Sequence, residues 1–218
     1  MKFKFAKWTV VPVIAMMVGS IAVAQDPSSG STTNQSTTAP KPDPAIQQRK
    51  ENQQDRIANG VEKGQLTAGE TAKLETKEAA VNKEIKTDRA ANGGKLTPQE
   101  RRQVNRQQNQ LSHQIYRDKH NANTAHYGNN EVGKRRENQQ DRIAEGVKNG
   151  QLTAGETAKL ENQQRNINQQ VAADRRANGG KLTPGEKAQI NHEQNQASRN
   201  IHKKKHNART QPGVAPKK

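Results

Sequence analysis

Beyond residue 24 the aliphatic side chains are few and regularly spaced. Ile46 and Ile57, Leu74 and Ile85, and Val104 and Ile115 each lie eleven residues apart. Eleven residues make three α-helical turns, so each pair marks the two ends of one helical face. The pairs also satisfy the register of antiparallel neighbours. Ile57, Leu74 and Ile115 form one layer and Ile46, Ile85 and Val104 the other, with Val81 and Leu111 between. The pattern recurs as Ile143, Leu160 and Ile201, and as Val132, Val171 and Ile190, with Ala197 where Leu111 stands. It predicts helices over about 44–62, 67–91 and 97–119, then 131–148, 153–177 and 183–205.

The polar punctuation agrees with this. Gly64-Gln65-Leu66-Thr67-Ala68-Gly69-Glu70 and Gly93-Gly94-Lys95-Leu96-Thr97-Pro98-Gln99-Glu100 both end in Thr-x-x-Glu. In that motif the Thr oxygen takes the N3 amide and the Glu reaches back to the Thr amide, so each Thr is expected to cap a helix. Pro98 falls at the first helical position, where a missing N–H costs nothing. Residues 49–124 align without gaps to 135–210 at an offset of 86, with about 47 of 76 positions identical, so the chain is an internal duplication. The expected fold class is all-α, two tandem three-helix (up-down-up) repeats after a signal peptide and a disordered spacer. The expected segments are a signal peptide 1–24, a Ser/Thr/Pro-rich spacer 25–43, helical repeat 1 over 44–121, a connector 122–130, helical repeat 2 over 131–207, and a disordered basic tail 208–218.

The first segment has Lys2, Lys4 and Lys7, then an apolar run from Trp8 to Val23 ending in Ala22-Val23-Ala24. That is the layout of a secretory signal, with cleavage expected after Ala24 and a periplasmic or extracellular destination. No transmembrane segment is expected after cleavage. Removal takes three Lys and no acid, so the net charge falls from +16 to +13. Leu, Ile and Val make up about 11% of what remains, and Tyr116 and Tyr127 are its aromatic rings. So thin a core supports only marginal bundles, and without cysteine no disulfide compensates. The second repeat, lacking an aliphatic at 197, is expected to be the more mobile.

Two family resemblances follow from these strings. Gly64, Leu66 and Glu70, and likewise Gly94, Leu96 and Glu100, stand at the sixth, eighth and twelfth places of a loop that resembles the EF-hand, a calcium-binding helix-loop-helix. That resemblance implies a paired helix-loop-helix unit. The remaining ligand places depart from the family: places one, three and five hold Asn59, Val61 and Lys63 in one loop and Arg89, Ala91 and Gly93 in the other. A Val or Lys supplies no oxygen to a hard cation. The four glutamates, Glu70, Glu100, Glu156 and Glu186, are therefore read as helix caps, and no cofactor or metal is expected. The Leu-Thr-x-x-Glu strings also resemble the LTxxQ type of small basic periplasmic chaperones, which implies a chaperone-like stress protein.

The third helix of each copy carries a second feature. Counting 100° per residue from Val104, Arg102, Arg106, His113 and Arg117 fall within about 40° of the opposite side. The second copy offers His192, Arg199 and Lys203, followed by Lys204 and Lys205. Two cationic stripes on an exported chain suit non-specific electrostatic binding of polyanions: envelope glycolipid, acidic polysaccharide or extracellular nucleic acid. Sequence-specific nucleic-acid reading is not expected, because neither tyrosine makes a stacking platform. His202 and His206 share a helical face, but the three lysines between them oppose a dication. The chain carries no Cys nucleophile, no Gly-x-Ser-x-Gly elbow and no phosphate-cradling glycine loop, so no enzyme is expected. The sequence leaves the oligomeric state open.

Overall fold

A computed structural model describes residues 43–212. The expected signal peptide, nearly all of the spacer and the end of the tail lie outside the described residues. Those described form helices and, among them, no strand. The helices are α1 (Pro44–Glu62), α2 (Ala68–Ala91), α3 (Pro98–Lys119), α4 (Glu131–Lys148), α5 (Ala154–Ala177) and α6 (Pro184–Lys205).

Local chemistry sets their ends. Thr67, Thr97, Thr153 and Thr183 are N-caps, and each closes a reciprocal capping box with the Glu three residues on. The Glu70 carboxylate, for example, accepts the Thr67 amide at 3.0 Å while Thr67 Oγ1 accepts the Glu70 amide at 3.3 Å. Asp43, assigned to the spacer, caps α1 by accepting the Ala45 amide at 3.1 Å. Leu66 and Leu152, read only as turn residues, are fully buried. Each turn folds back on its helix, Leu66 N–H to the Gly60 carbonyl and Leu152 N–H to the Gly146 carbonyl, both at 3.0 Å. The leucine side chain then covers the bare Cα of that glycine.

Four apolar clusters make the core. Ile57, Leu74, Leu111 and Ile115 gather with Val61 and Leu66, and Ile46, Val81, Ile85 and Val104 gather with Leu96. In the second copy Ile143, Leu160 and Ile201 join Val147 and Leu152. Val132, Val171, Ile190 and Ala197 are completed by Ile167, which stands at the position of Val81. Between these clusters the interior is polar, and its glutamine side-chain nitrogens bridge the helices. Gln53 Nε2 donates to the Gln108 carbonyl at 2.7 Å and to Ser112 Oγ at 2.8 Å, and Gln108 Nε2 donates to the Ile46 carbonyl at 3.1 Å. Gln139 and Gln194 repeat these bonds. Such ties fix the register of facing helices through the amide nitrogens, while the side-chain oxygens of Gln53, Gln108 and Gln194 are buried with no hydrogen-bond partner.

Helices α1, α2 and α3 touch one another, as do α4, α5 and α6, and a seam joins the copies where α1 meets α4 and α2 meets α5. Its contacts are related by the 86-residue offset. Gly69 lies against Arg165 and its counterpart Gly155 against Ala79, so α2 and α5 run antiparallel. Ala144 enters the first copy's core cluster and Ala58 the second's. The two copies are therefore related by an approximate two-fold axis. Small residues let the backbones approach, and two fully buried carboxylates, Glu75 and Glu161, stand in the middle of the seam.

The tail departs from expectation over its described part. The Gln211 amide donates to the Gly150 carbonyl at 3.0 Å and its side-chain Oε1 accepts the Ala154 amide at 2.7 Å. Gln211 is buried, so residues 208–212 are held on the start of α5. The connector does the same for the first copy, where the Ala125 amide reaches the Gly64 carbonyl at 2.8 Å.

Candidate polyanion-binding faces

Helix α3 buries Val104, Gln108, Leu111 and Ile115 and turns its opposite side to solvent. Arg102, Arg106, His113 and Arg117 are all exposed on that side. Over the same span α6 buries Ile190, Gln194, Ala197 and Ile201, and His192, Arg199 and Lys203 are exposed. Among the described residues none of these seven side chains is in an ion pair; the recorded pairs are Arg101 with Asp43 at 3.2 Å and Lys205 with Glu145 at 2.6 Å. An unpaired arginine fork keeps its donors free for phosphate, sulfate or carboxylate oxygens.

Lys205 does not belong with them. Its stem lies over Gly146, its ammonium is held by Glu145, and its side chain is 10% exposed. The stripe drawn in sequence ends at Lys203, with Lys204 half-buried. A flat count of basic residues at a helix end missed this because Glu145 sits on another helix, 60 residues away. Lys203 and Lys204 fall in the last turn of α6, where cations also complement the helix dipole.

The turn glutamates are occupied. Glu70 Oε1 accepts from Asn121 at 2.7 Å and Asn123 at 3.2 Å, and Glu156 Oε1 accepts from Asn207 at 2.7 Å, which ties the connector and the end of the second repeat to the caps. Both oxygens of Glu100 accept from Asn92 and both of Glu186 from Asn178. These bonds hold Glu70, Glu100 and Glu186 below the ordinary carboxylate range; at Glu100 and Glu186 the largest cause is the bond from the Thr amide. At Glu70 burial opposes the shift and the summed hydrogen bonds exceed it. Among the described residues no group of three or more His, Asp or Glu is arranged to hold a metal ion. The His202 and His206 rings lie 4.2 Å apart between centroids at a tilt of 34°, where Tyr116 and His120 stack at the same distance in the first copy.

Three buried acids escaped the sequence reading. Burial raises Glu75 well above the ordinary carboxyl range, and Glu161 to about 8. Each accepts one bond, from Gln54 at 3.2 Å and from Gln140 at 3.0 Å. Burial raises Glu78 to about 7 and lowers Lys50, and the attraction between these two opposes both shifts. In the second copy Gln164 and Arg136 take the places of that pair. The available signal was the repeated Leu-Glu at 74–75 and 160–161, which puts a carboxylate beside a core residue in both copies.

Tyr116 is the large apolar side chain left exposed among the described residues. No helix of the described residues is long and apolar enough to cross a membrane. Comparison of the chain with protein-family models, with curated proteins and with solved structures gives no match in any of the three.

Proposed function

We propose that this is an exported, non-catalytic protein of two tandem three-helix repeats that binds polyanions of the periplasm or exterior through the outward faces of α3 and α6. The observation that carries the reading is the set of exposed cations, Arg102, Arg106, Arg117, Arg199 and Lys203, unpaired among the described residues on a chain of net charge +16. Binding of this kind releases condensed counterions, and affinity falls linearly with the logarithm of salt concentration. It reads charge density and carries no sequence information. Lys204, half-buried, adds a third cation near the end of α6.

The test compares two variants of equal net charge. R102A/R106A/R117A removes the α3 stripe, and K73A/K83A/K95A removes three exposed lysines outside it. Retention on heparin or duplex DNA is measured against salt. The stripe variant is expected to lose about 0.9 from the salt slope for each phosphate contact removed, and the control to lose less. Equal losses from both variants would mean that net charge alone drives retention and that no dedicated face exists.

A further inference from the structure

We infer that the protein is a bridge: it holds two separate double-stranded nucleic acids, one against α3 and one against α6, on opposite sides of the molecule. The inference rests on the polyanion reading above and adds its partner and its valency.

The geometry follows from which helices touch. Among the described helices, α3 contacts α1 and α2 alone, and α6 contacts α4 and α5 alone. The seam between the copies occupies the other side of both pairs. Because α3 buries Val104, Gln108, Leu111 and Ile115 against its own copy, its cationic stripe faces directly away from the seam. The approximate two-fold axis, which exchanges Gly69–Arg165 with Gly155–Ala79, turns the α6 stripe to the opposite side. With helix layers 8–10 Å apart, the axes of α3 and α6 are separated by roughly 25–30 Å. A duplex has a persistence length of about 150 base pairs, so one rod cannot wrap a body of that size to meet both stripes at low cost. Two stripes facing apart therefore take two rods.

The partner follows from what the stripes contain. Single-stranded nucleic acids are held by stacking bases on rings, and the faces of sugars are gripped by rings in the same way. No Phe, Tyr or Trp lies among Arg102, Arg106, His113 and Arg117 or among His192, Arg199 and Lys203, and each stripe has one imidazole, too few rings to seat successive bases. Tyr116, at the edge of the first stripe, has its ring stacked on His120. A duplex hides its bases and offers rows of phosphates, a surface that arginine forks can grip without stacking. From Arg102 to Arg117 the row runs about 22 Å, the length of several phosphates.

The experiment mixes donor-labelled and acceptor-labelled duplexes of about 24 base pairs, about 80 Å long, with the full chain lacking residues 1–24, at low salt. Energy transfer is expected to rise with added protein, peak below one protein per duplex, fall as excess protein coats each duplex separately, and vanish on raising salt. R102E/R106E/R117E and, separately, R199E/K203E should each keep one binding face, bind about half as many duplexes per protein, and give no transfer. Binding without transfer would overturn the bridge and leave the polyanion reading standing. Transfer that persists in either variant would also overturn it, since bridging would then come from association of the protein with itself. Binding of heparin or of anionic phospholipid vesicles without binding of duplexes would overturn the choice of partner. Failure to bind any of these probes would remove both the bridge and the reading beneath it.

Discussion

At the scale of single residues, this protein stays folded with few aliphatics because small and amide side chains do specific work. Gly133 shows the first kind. A Cβ there would collide with the backbone carbonyls of Tyr127 and Gly128, neither of which is a flexible side-chain end. Gly133→Ala is expected to lower stability by about 2–3 kcal/mol, as overpacking against fixed atoms does. Gly93→Ala, whose added carbon meets nothing within 4 Å but sits at φ +60°, should cost about 1 kcal/mol. Thermal melts of the two variants check the order. Gln108 shows the second kind. Gln108→Leu keeps the bulk but removes the side-chain bond to the Ile46 carbonyl within α1, with an expected loss of about 0.5–1.5 kcal/mol by urea denaturation. Neither role was legible beforehand. The glycine acts through a loop reached only in three dimensions, and a buried glutamine looks like every other glutamine of a polar helix.

At the scale of elements, much was legible because helix ends are local. Thr and Glu three residues apart meet whatever the rest of the chain does, and all four boxes formed where the strings stand. Thr97→Ala is expected to cost about 1 kcal/mol, read as a lower urea midpoint at unchanged slope; Thr97→Asp should restore most of it. The aliphatic layers were equally legible, since the eleven-residue spacing belongs to the helix itself. What stayed hidden was the pairing of α1 with α4 and α2 with α5. Its residues are Ala58, Ala144, Gly69, Gly155, Glu75 and Glu161, small or charged side chains that give no hydrophobic periodicity. The exposure of Arg102, Arg106 and Arg117 follows from the period of α3 alone. Direction depends on the seam, and Lys205 left the stripe through a partner in another helix.

At the scale of the molecule, the buried acids of the seam set a pH dependence. Glu161 titrates at about 8 in the fold and at 4.5 ordinarily, and Glu75 is shifted the same way. Between those values the unfolded chain has released protons the folded chain still holds. Stability therefore falls as pH rises from 4.5 toward 8. The capping glutamates act with the opposite sign: Glu70, Glu100 and Glu186 lie below 4.5 in the fold, so their contribution is lost as pH falls through that range. They sit part-exposed at the helix starts and weigh less. The melting temperature is expected to be highest in mild acid and to decline into the alkaline range. E75Q/E161Q, which cannot ionise, should flatten the alkaline side.

The two-fold character of that seam reaches back before the chain had its present length. A surface that meets its own copy about a two-fold axis is self-complementary, so half of this chain already contains both sides of the joint. A polypeptide spanning residues 43–128 alone is then expected to sediment as a homodimer. The present protein is what such an ancestor becomes when its gene is doubled and the subunits are fused: an assembly whose partner is always at hand, free to let its halves diverge, as the exchange of Lys50 and Glu78 for Arg136 and Gln164 records.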